Sequence, residues 1–502
     1  MTSSTRQIKF GALMSYIAIS INIVSGLLYT PWMIHSIGRD SFGLYTLALS
    51  VISLFVFDFG LSSAVERFIA KYLAENNQEK ADKCVGLVYR LYFAIDVVLF
   101  IVLFGVFFFI PQLYKELTPA EIEKFKVIYI MAALYSVVSF PFIPINGILS
   151  AHEKFVQLKA CDVFHKIFIV VAMTACLLLG YGLYALVLTN TISGILTIVL
   201  KLVCIRRYTN QKISWRYFNV RELKEIAGYS GWVTVIALAQ RCIFNLAPSI
   251  LGALSGSSAI AILGIAITLE GYTYTFANAI NGLFLPKVSR IVATEDGNVL
   301  PLMIKIGRLQ LYIVGLIVFG VICLGQDFIS LWVGHEFNES YLCAVLIIIP
   351  SLFHLPQMIG NEAIFAMNKV KNLAIVYTFM AIFNLVGAAI LASSLGATGI
   401  CISVCVAYFI RTIGMDVIFY KDLKIDIKEF LIQCFAKLAV PCLLCIFAGF
   451  VCSYMIPLNN LIGFIVKGSC FVIIYSIVMY VCGMNQYEKD LVRKPLLKIF
   501  KV

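Results

Sequence analysis

The chain has 502 residues, 61% of them hydrophobic and only 13% charged, with a mean hydropathy of +0.94. An average soluble domain is about 45–50% apolar and about 25% charged, so a disordered chain and a soluble enzyme are excluded, and most of this surface was selected for lipid. The net charge of +12 is then first a record of membrane orientation rather than a nucleic-acid footprint.

A bilayer core about 30 Å thick needs about 20 apolar residues in a helix, because every backbone polar group must be satisfied internally. Runs of that kind fall at 10–35, 43–65, 85–110, 127–150, 160–180, 183–200, 229–253, 259–283, 309–333, 342–365, 373–394, 399–420, 433–455 and 461–483. The expected fold is therefore an all-α polytopic membrane protein with 14 transmembrane helices. The stretch 1–9 is short and polar and no small-residue cleavage site follows the first run, so that run reads as an uncleaved span.

An even number of spans puts both termini on one side. Counting Lys and Arg gives 29 on that side, 4 on the other and 6 inside spans. This bias makes the terminal side cytoplasmic. The opposite loops are short, the longest being 111–126, which leaves no room for the outward catalytic domain of a glycan polymerase or transferase. There is no G-x-x-x-x-G-K-[ST] either, so the chain carries no P-loop for ATP.

Sliding the chain on itself by 218 residues lays spans 1–3 on spans 7–9, with Gly38 on Gly256. An offset of 215 to 216 lays spans 4–6 on spans 10–12, with Asn146 on Asn361, Lys154 on Lys369 and Gly180 on Gly396. A six-span unit preserves orientation, so the repeat is parallel. The expected organisation is an N-terminal six-helix lobe at 1–204, a basic cytoplasmic linker at 205–228, a C-terminal six-helix lobe at 229–420, two accessory helices within 421–483 and a basic cytoplasmic tail at 484–502. Two such lobes enclose a central cavity suited to alternating access.

Three stretches carry a family likeness. Gly38-Arg39-Asp40-Ser41-Phe42-Gly43-Leu44-Tyr45 follows the first span, Asp58-Phe59-Gly60-Leu61-Ser62-Ser63-Ala64-Val65-Glu66-Arg67-Phe68-Ile69-Ala70 closes the second, and Phe328-Ile329-Ser330-Leu331-Trp332-Val333-Gly334 ends the ninth. Over essentially the whole chain, extra helix pair included, the sequence resembles the polysaccharide biosynthesis or O-antigen flippase family. Its superfamily also holds the multidrug and toxin extruders and the peptidoglycan lipid precursor flippases. The resemblance implies translocation of a polyprenyl-diphosphate-linked oligosaccharide from the inner to the outer leaflet of a bacterial cytoplasmic membrane, with the last two helices either a groove for the lipid tail or a stabilising appendage. It implies a non-enzymatic monomer without a cofactor, working alongside polysaccharide polymerase and chain-length machinery, with H+ or Na+ as a possible coupling ion. The peptidoglycan branch typically shows several basic cavity residues, whereas this chain has one central Arg. The competing reading within the superfamily is a multidrug or cation antiporter, with Glu270 or Asp58 as the coupling acid.

An ionisable side chain at the bilayer midplane costs about 2.5–3.5 kcal/mol on insertion scales, so depth selects the functional candidates. Arg90, Lys166 and Lys437 lie near cytoplasmic helix ends and can snorkel. With Gly256 as the turn of the span 7–8 hairpin, Arg241 and Glu270 sit about 21 to 23 Å along each helix, at matched depth. Either they staple two helices, or Arg241 meets a substrate diphosphate with its planar fork and Glu270 balances the charge or couples a proton. Gln240 and Asn245 flank Arg241, and Pro248 is placed to kink that helix. Asn22 and Asp58 are the polar candidates of the other lobe, Asp58 having Arg90 as an alternative partner. Asn278, Asn281 and Tyr274, together with Tyr272, offer hydrogen bonds and aromatic faces to sugars. Arg411 and Lys467 are further cavity or coupling candidates, and Asp96 with Asp162, His165 and Lys166 reads either as a second polar cluster or, in preference, as a satisfied network inside the N-terminal lobe. Fifteen scattered cysteines, including Cys442 and Cys445 inside one helix, read as small apolar residues, and no metal site is expected.

Overall fold

The computed structural model describes residues 3–499 apart from 56–57, 282–287, 289–290, 293–297, 368 and 457–459. The described residues are helical almost throughout. In chain order the helices are α1 (Ser3–Ile37), α2 (Arg39–Phe55), α3 (Leu61–Ala74), α4 (Gln78–Leu113), α5 (Pro119–Ser139), α6 (Ile145–Ala151), α7 (Phe155–Leu178), α8 (Leu183–Tyr208), α9 (Val220–Phe244), α10 (Ala247–Leu254) and α11 (Gly256–Asn281). There follow α12 (Leu300–Trp332), α13 (Glu339–Ile348), α14 (Ser351–His354), α15 (Met358–Ala366), α16 (Val370–Asp422), α17 (Ile427–Leu431), α18 (Lys437–Met455), α19 (Leu461–Val478) and α20 (Gln486–Ile499). Among the described residues ten helices are long and apolar enough to cross a bilayer, or eleven if the pair Glu339–His354 and Met358–Ala366, bent by 56°, counts as one.

Several boundaries follow from local chemistry. Gly38 and Gly256 both carry φ of 82°, a backbone that glycine adopts without a Cβ penalty, and each reverses the chain between two helices. Thr118 and Glu121 form a capping box at the start of α5, with Pro119 at its first position. The expected kink at Pro248 is present: α9 stops at Phe244 and α10 starts at Ala247, with Pro248 in its first turn, where a missing N–H costs nothing.

The chain divides into two compact units, Met1–Gly264 with Ala374–Ser403, and Ile265–Leu373 with Val404–Val502. In the first, α1 packs on α7, α7 on α8, α5 on α4 and α8, and α2 on α5, α9 and α10. The basic linker is docked rather than loose. Asp82 Oδ1 accepts from Gln211 Nε2 at 2.6 Å and from the Lys212 N–H at 2.9 Å. Gly86 lets the Ser214 carbonyl come to 2.1 Å from where a Cβ would stand, closer than any side chain allows.

In the second unit α12 is the hub, touched by α13, α15, α18 and α19. Two π-helical turns, Ile432–Ala436 and Met479–Gly483, interrupt the last helices, and such turns leave carbonyls without their usual partner. Arg308 takes both: Nη1 donates to the Gln433 carbonyl and Nη2 to the Gly483 carbonyl, each at 2.7 Å. Its Nε meets Glu488 Oε1 at 2.6 Å, and the Tyr312 hydroxyl lies 2.9 Å from Oε2. Counted with the cytoplasmic cations in the sequence, Arg308 is thus a buried clasp holding α20 and the last two long helices to α12.

Candidate functional site

The second expected span is not continuous. It breaks at the Asp58-Phe59-Gly60 stretch, between α2 and α3, where Phe59 and Gly60 take left-handed backbone with φ of 50° and 66°. Gly60 does this freely, but a bulky residue held there costs about 1–3 kcal/mol and persists only when its surroundings over-determine it. Asp58 Oδ1 accepts from the Ser62 N–H at 3.0 Å, capping the new helix, and from the hydroxyl of buried Tyr92 at 2.7 Å. The Phe59 carbonyl accepts from the Thr234 hydroxyl of α9 at 2.6 Å. On the near side of the break, the Arg241 guanidinium donates to the Ser53 carbonyl. Unwound backbone at membrane depth is tolerated only when buried in protein or lining a cavity, and discontinuous helices of this kind build substrate and ion sites. A broken α2–α3 span faced by the polar residues of α9 is therefore the candidate site of the first unit.

Asp58 does not take Arg90 as its partner. Arg90 donates instead to the Trp215 carbonyl and lies 5.9 Å from the Phe218 ring, because the folded-back linker reaches it first. Around Arg241, which is half-buried, Asn245 caps the end of α9 with its N–H on the Arg241 carbonyl at 2.8 Å. Gln240 is exposed, and Asn22 is half-buried on α1.

Glu270 belongs to the second unit, so it is placed with that unit and Arg241 with its own. Glu270 is 7% exposed, and no hydrogen bond or ion pair reaches its carboxylate from described residues of its unit. Tyr274 and Asn278, further along α11, are exposed, and the Asn281 side chain lies outside the described residues. Arg411 is 2% exposed, in the same environment as His354 and Asp416, whose carboxylate accepts from Gln357 Nε2 at 2.8 Å. Lys467 does not snorkel: it is buried against Asp327 of α12, 2.7 Å away. Among the described residues no three His, Cys, Asp or Glu come together as a metal site.

A second constellation in the first unit escaped the sequence reading. The turns at Gly38 and Gly256 meet, and Gly43 approaches so closely that a Cβ would stand 2.1 Å from the Ser257 carbonyl. The Ser257 hydroxyl donates to the Glu121 carboxylate, with Asp40 Oδ1 3.4 Å away. The Tyr114 hydroxyl reaches Ser249 at 3.4 Å beside Gly252. The signal was present in the coincidence of Gly38 with Gly256 under the internal offset, but nothing in the sequence said that the two turns touch.

No curated protein sequence matches the chain. The fold is shared widely among solved structures. "Lipid II flippase MurJ, inward closed conformation" superposes with a TM-score of 0.70 at 15% identity, over 97% of this chain and 100% of that one. An inward-facing multidrug resistance MATE family transporter of the MOP superfamily gives a TM-score of 0.62 at 14% identity, over 82% of this chain and 96% of that one. A MOP superfamily transporter from Pyrococcus furiosus gives 0.55 at 16% identity, over 82% and 94%. At these identities the likeness establishes the transporter fold alone. The profile of the polysaccharide biosynthesis protein family matches residues 10–292, more than half of the sequence, and the chain belongs to that family.

Proposed function

We propose that the protein flips a polyprenyl-diphosphate-linked oligosaccharide from the inner to the outer leaflet of a bacterial cytoplasmic membrane, for assembly of a surface polysaccharide. The observation that carries this reading is coverage. The lipid flippase fold extends over 97% of the chain and the MATE folds over 82–86%, a difference about the size of the segment from 421 onward. In this reading the last two long helices handle a lipid tail, while Arg241, at a broken span, supplies the fork for a diphosphate.

Fourteen spans remain the topology of choice. Gly396, with φ of 55° and ψ of −132°, breaks the 53 residues of α16 into two spans, and α1 and the α2–α3 pair supply two more. A duplicated six-helix unit, with lobes at 1–204 and 229–420, is supported by matched special backbone. Gly38 and Gly256 share φ of 82°, Gly180 and Gly396 carry 77° and 55°, and Lys154 and Lys369 cap their helices at φ of −90° and −91°. With cytoplasmic termini, the meeting turns at Gly38 and Gly256 fall on the outer side, and we read their contact as an outer gate in its closed position.

Deleting the gene is expected to trap lipid-linked sugar in the inner leaflet and strip the surface glycan. Unchanged glycan with altered drug tolerance would overturn the proposal in favour of an antiporter, for which buried Glu270 is the coupling acid. The gate makes its own prediction. Gly43→Val drives a side chain into the Ser257 backbone, so labelling of Ser257→Cys by an impermeant maleimide should rise about tenfold, as for a shift of about 1.4 kcal/mol in the closed population. An unchanged labelling rate removes this contact from gating.

A further inference from the structure

Away from the broken span, a polar cleft of about 310 Å³ opens between α5, α6, α7 and α8, lined by Asn146, Asp162, His165, Lys166, Thr197 and Lys201 among others. Gly194 on its wall leaves the space that the Tyr135 hydroxyl occupies, 1.9 Å from where a Cβ would stand. Asp162 is already committed twice over: Lys201 Nζ is 2.8 Å from Oδ1 and Lys159 Nζ 3.6 Å from Oδ2. Lys201 also donates to Asn146 Oδ1 at 3.0 Å. The His165 ring lies 3.0 Å from the Thr197 hydroxyl and 2.9 Å from that of Ser193, so it is held by neutral groups. Lys166, half-buried one turn beyond Asp162, has no hydrogen bond or ion pair among the described residues. The cleft is therefore lined by two ammonium groups, Lys166 and Lys201, and one carboxylate, an excess of one positive charge, and Asp162 is shared further with Lys159 outside the lining.

The one carboxylate beside Lys166 is already shared between Lys201 and Lys159, so the half-buried ammonium gains from a further anion at the mouth of the cleft. The expected topology puts the start of α7 and the end of α8 at the cytoplasmic face, at the level where lipid phosphates lie. We infer that this cleft is a binding site for the phosphate group of a lipid in the cytoplasmic leaflet, held by Lys166 and Lys201 with Asn146 as a neutral donor. Lysine suits that ligand as a point charge, and its stem can lie along the acyl region while the ammonium meets the phosphate. The phosphate belongs either to an acidic phospholipid, which then tunes the N-terminal helices, or to an isoprenoid diphosphate, for which the cleft is a waiting station ahead of the central site.

The test is native mass spectrometry of the full chain in detergent, titrated separately with dioleoyl phosphatidylglycerol, dioleoyl phosphatidylcholine and farnesyl diphosphate. Retention of at least one of the two anionic probes well above phosphatidylcholine is expected. Lys166→Gln should weaken that retention about fivefold and Lys166→Arg should preserve it, in line with the contribution of one lysine at an anionic surface. Preference for phosphatidylglycerol assigns the phospholipid source, and preference for farnesyl diphosphate the isoprenoid source. Equal retention of phosphatidylcholine, or unchanged retention in both Lys166→Gln and Lys201→Gln, overturns the inference, as does displacement of both anionic probes by millimolar inorganic phosphate, which makes this a free-phosphate site. The readout is binding rather than translocation, so the result stands apart from the flippase assignment.

Discussion

Arg241→Ala is expected to lower translocation about 100-fold while the chain still inserts into the membrane at wild-type abundance. Truncating one partner of a desolvated, charge-assisted contact costs about 2–5 kcal/mol, and about 2.7 kcal/mol is two orders of magnitude. The expected loss is functional rather than architectural, because the break beside the Ser53 carbonyl to which the guanidinium donates is held independently by Asp58, Tyr92 and Thr234. Arg241→Lys keeps the charge and loses the fork, so it should recover only part of the rate if the diphosphate is gripped in a bidentate manner. The measurement is transport of a fluorescent lipid-linked sugar in proteoliposomes, with membrane-fraction abundance as the control. Full activity of Arg241→Ala would take this residue out of the mechanism, and rescue of a dead Arg241→Ala by an added Glu270→Ala would favour a merely stapling role.

The largest stability effect is expected at the Arg308 clasp. Arg308 is 5% exposed and Glu488 2%, and breaking a buried pair by removing one partner costs about 3–5 kcal/mol because the other charge is left uncompensated. Arg308→Ala does more than strand Glu488, since the carbonyls of Gln433 and Gly483 at the two π turns lose their donor as well. The last helices and α20 should loosen together, seen as a lower melting temperature in detergent and faster proteolysis of the segment after residue 421. Lys305 over the Tyr487 ring at 3.7 Å is too small a contact to hold the helix alone. The double variant Arg308→Met with Glu488→Leu should recover much of the loss, because an apolar pair carries no desolvation penalty.

The same clasp sets an acid limit. Burial by itself would raise the Glu488 pKa, but hydrogen bonds from Arg308, the Asn485 N–H and the Tyr312 hydroxyl outweigh it and hold the carboxyl below its ordinary value. A carboxylate lowered on folding contributes stability that is fully present above its unfolded value, about 4.3 for Glu, and is lost as pH falls through the folded value. Melting temperature should therefore drop on acidification below that range in the wild type, and Glu488→Gln should flatten this limb. A wild-type curve with no acid limb would contradict the assignment.

Much of the architecture was legible because its cause is one-dimensional. Apolar runs, the Pro248 kink and the glycine turns at Gly38 and Gly256 each depend on a residue's own backbone or on its partition into lipid. Pairings were another matter. Arg308 counted as one more cytoplasmic cation and Lys467 as a cavity or coupling candidate, and their partners, Glu488 and Asp327, lie 180 and 140 residues away. The break at Asp58 was hidden because Phe59 has no intrinsic preference for left-handed backbone, and its conformation is imposed by Tyr92 and Thr234 from other helices.

The sequence by itself determined that this is a membrane protein of many helices, and it set the expectation of cations mostly on one side and of Arg241 in mid-span, since hydrophobic partition and charge bias act residue by residue. Only the tertiary structure decided which polar groups face one another: the broken second span with Arg241 at its carbonyl, the Ser257 contact of the two turns, the Arg308 clasp and the lysine cleft. Hydrogen bonds and ion pairs act over about 3 Å, and which groups come within that range is set by how distant helices pack.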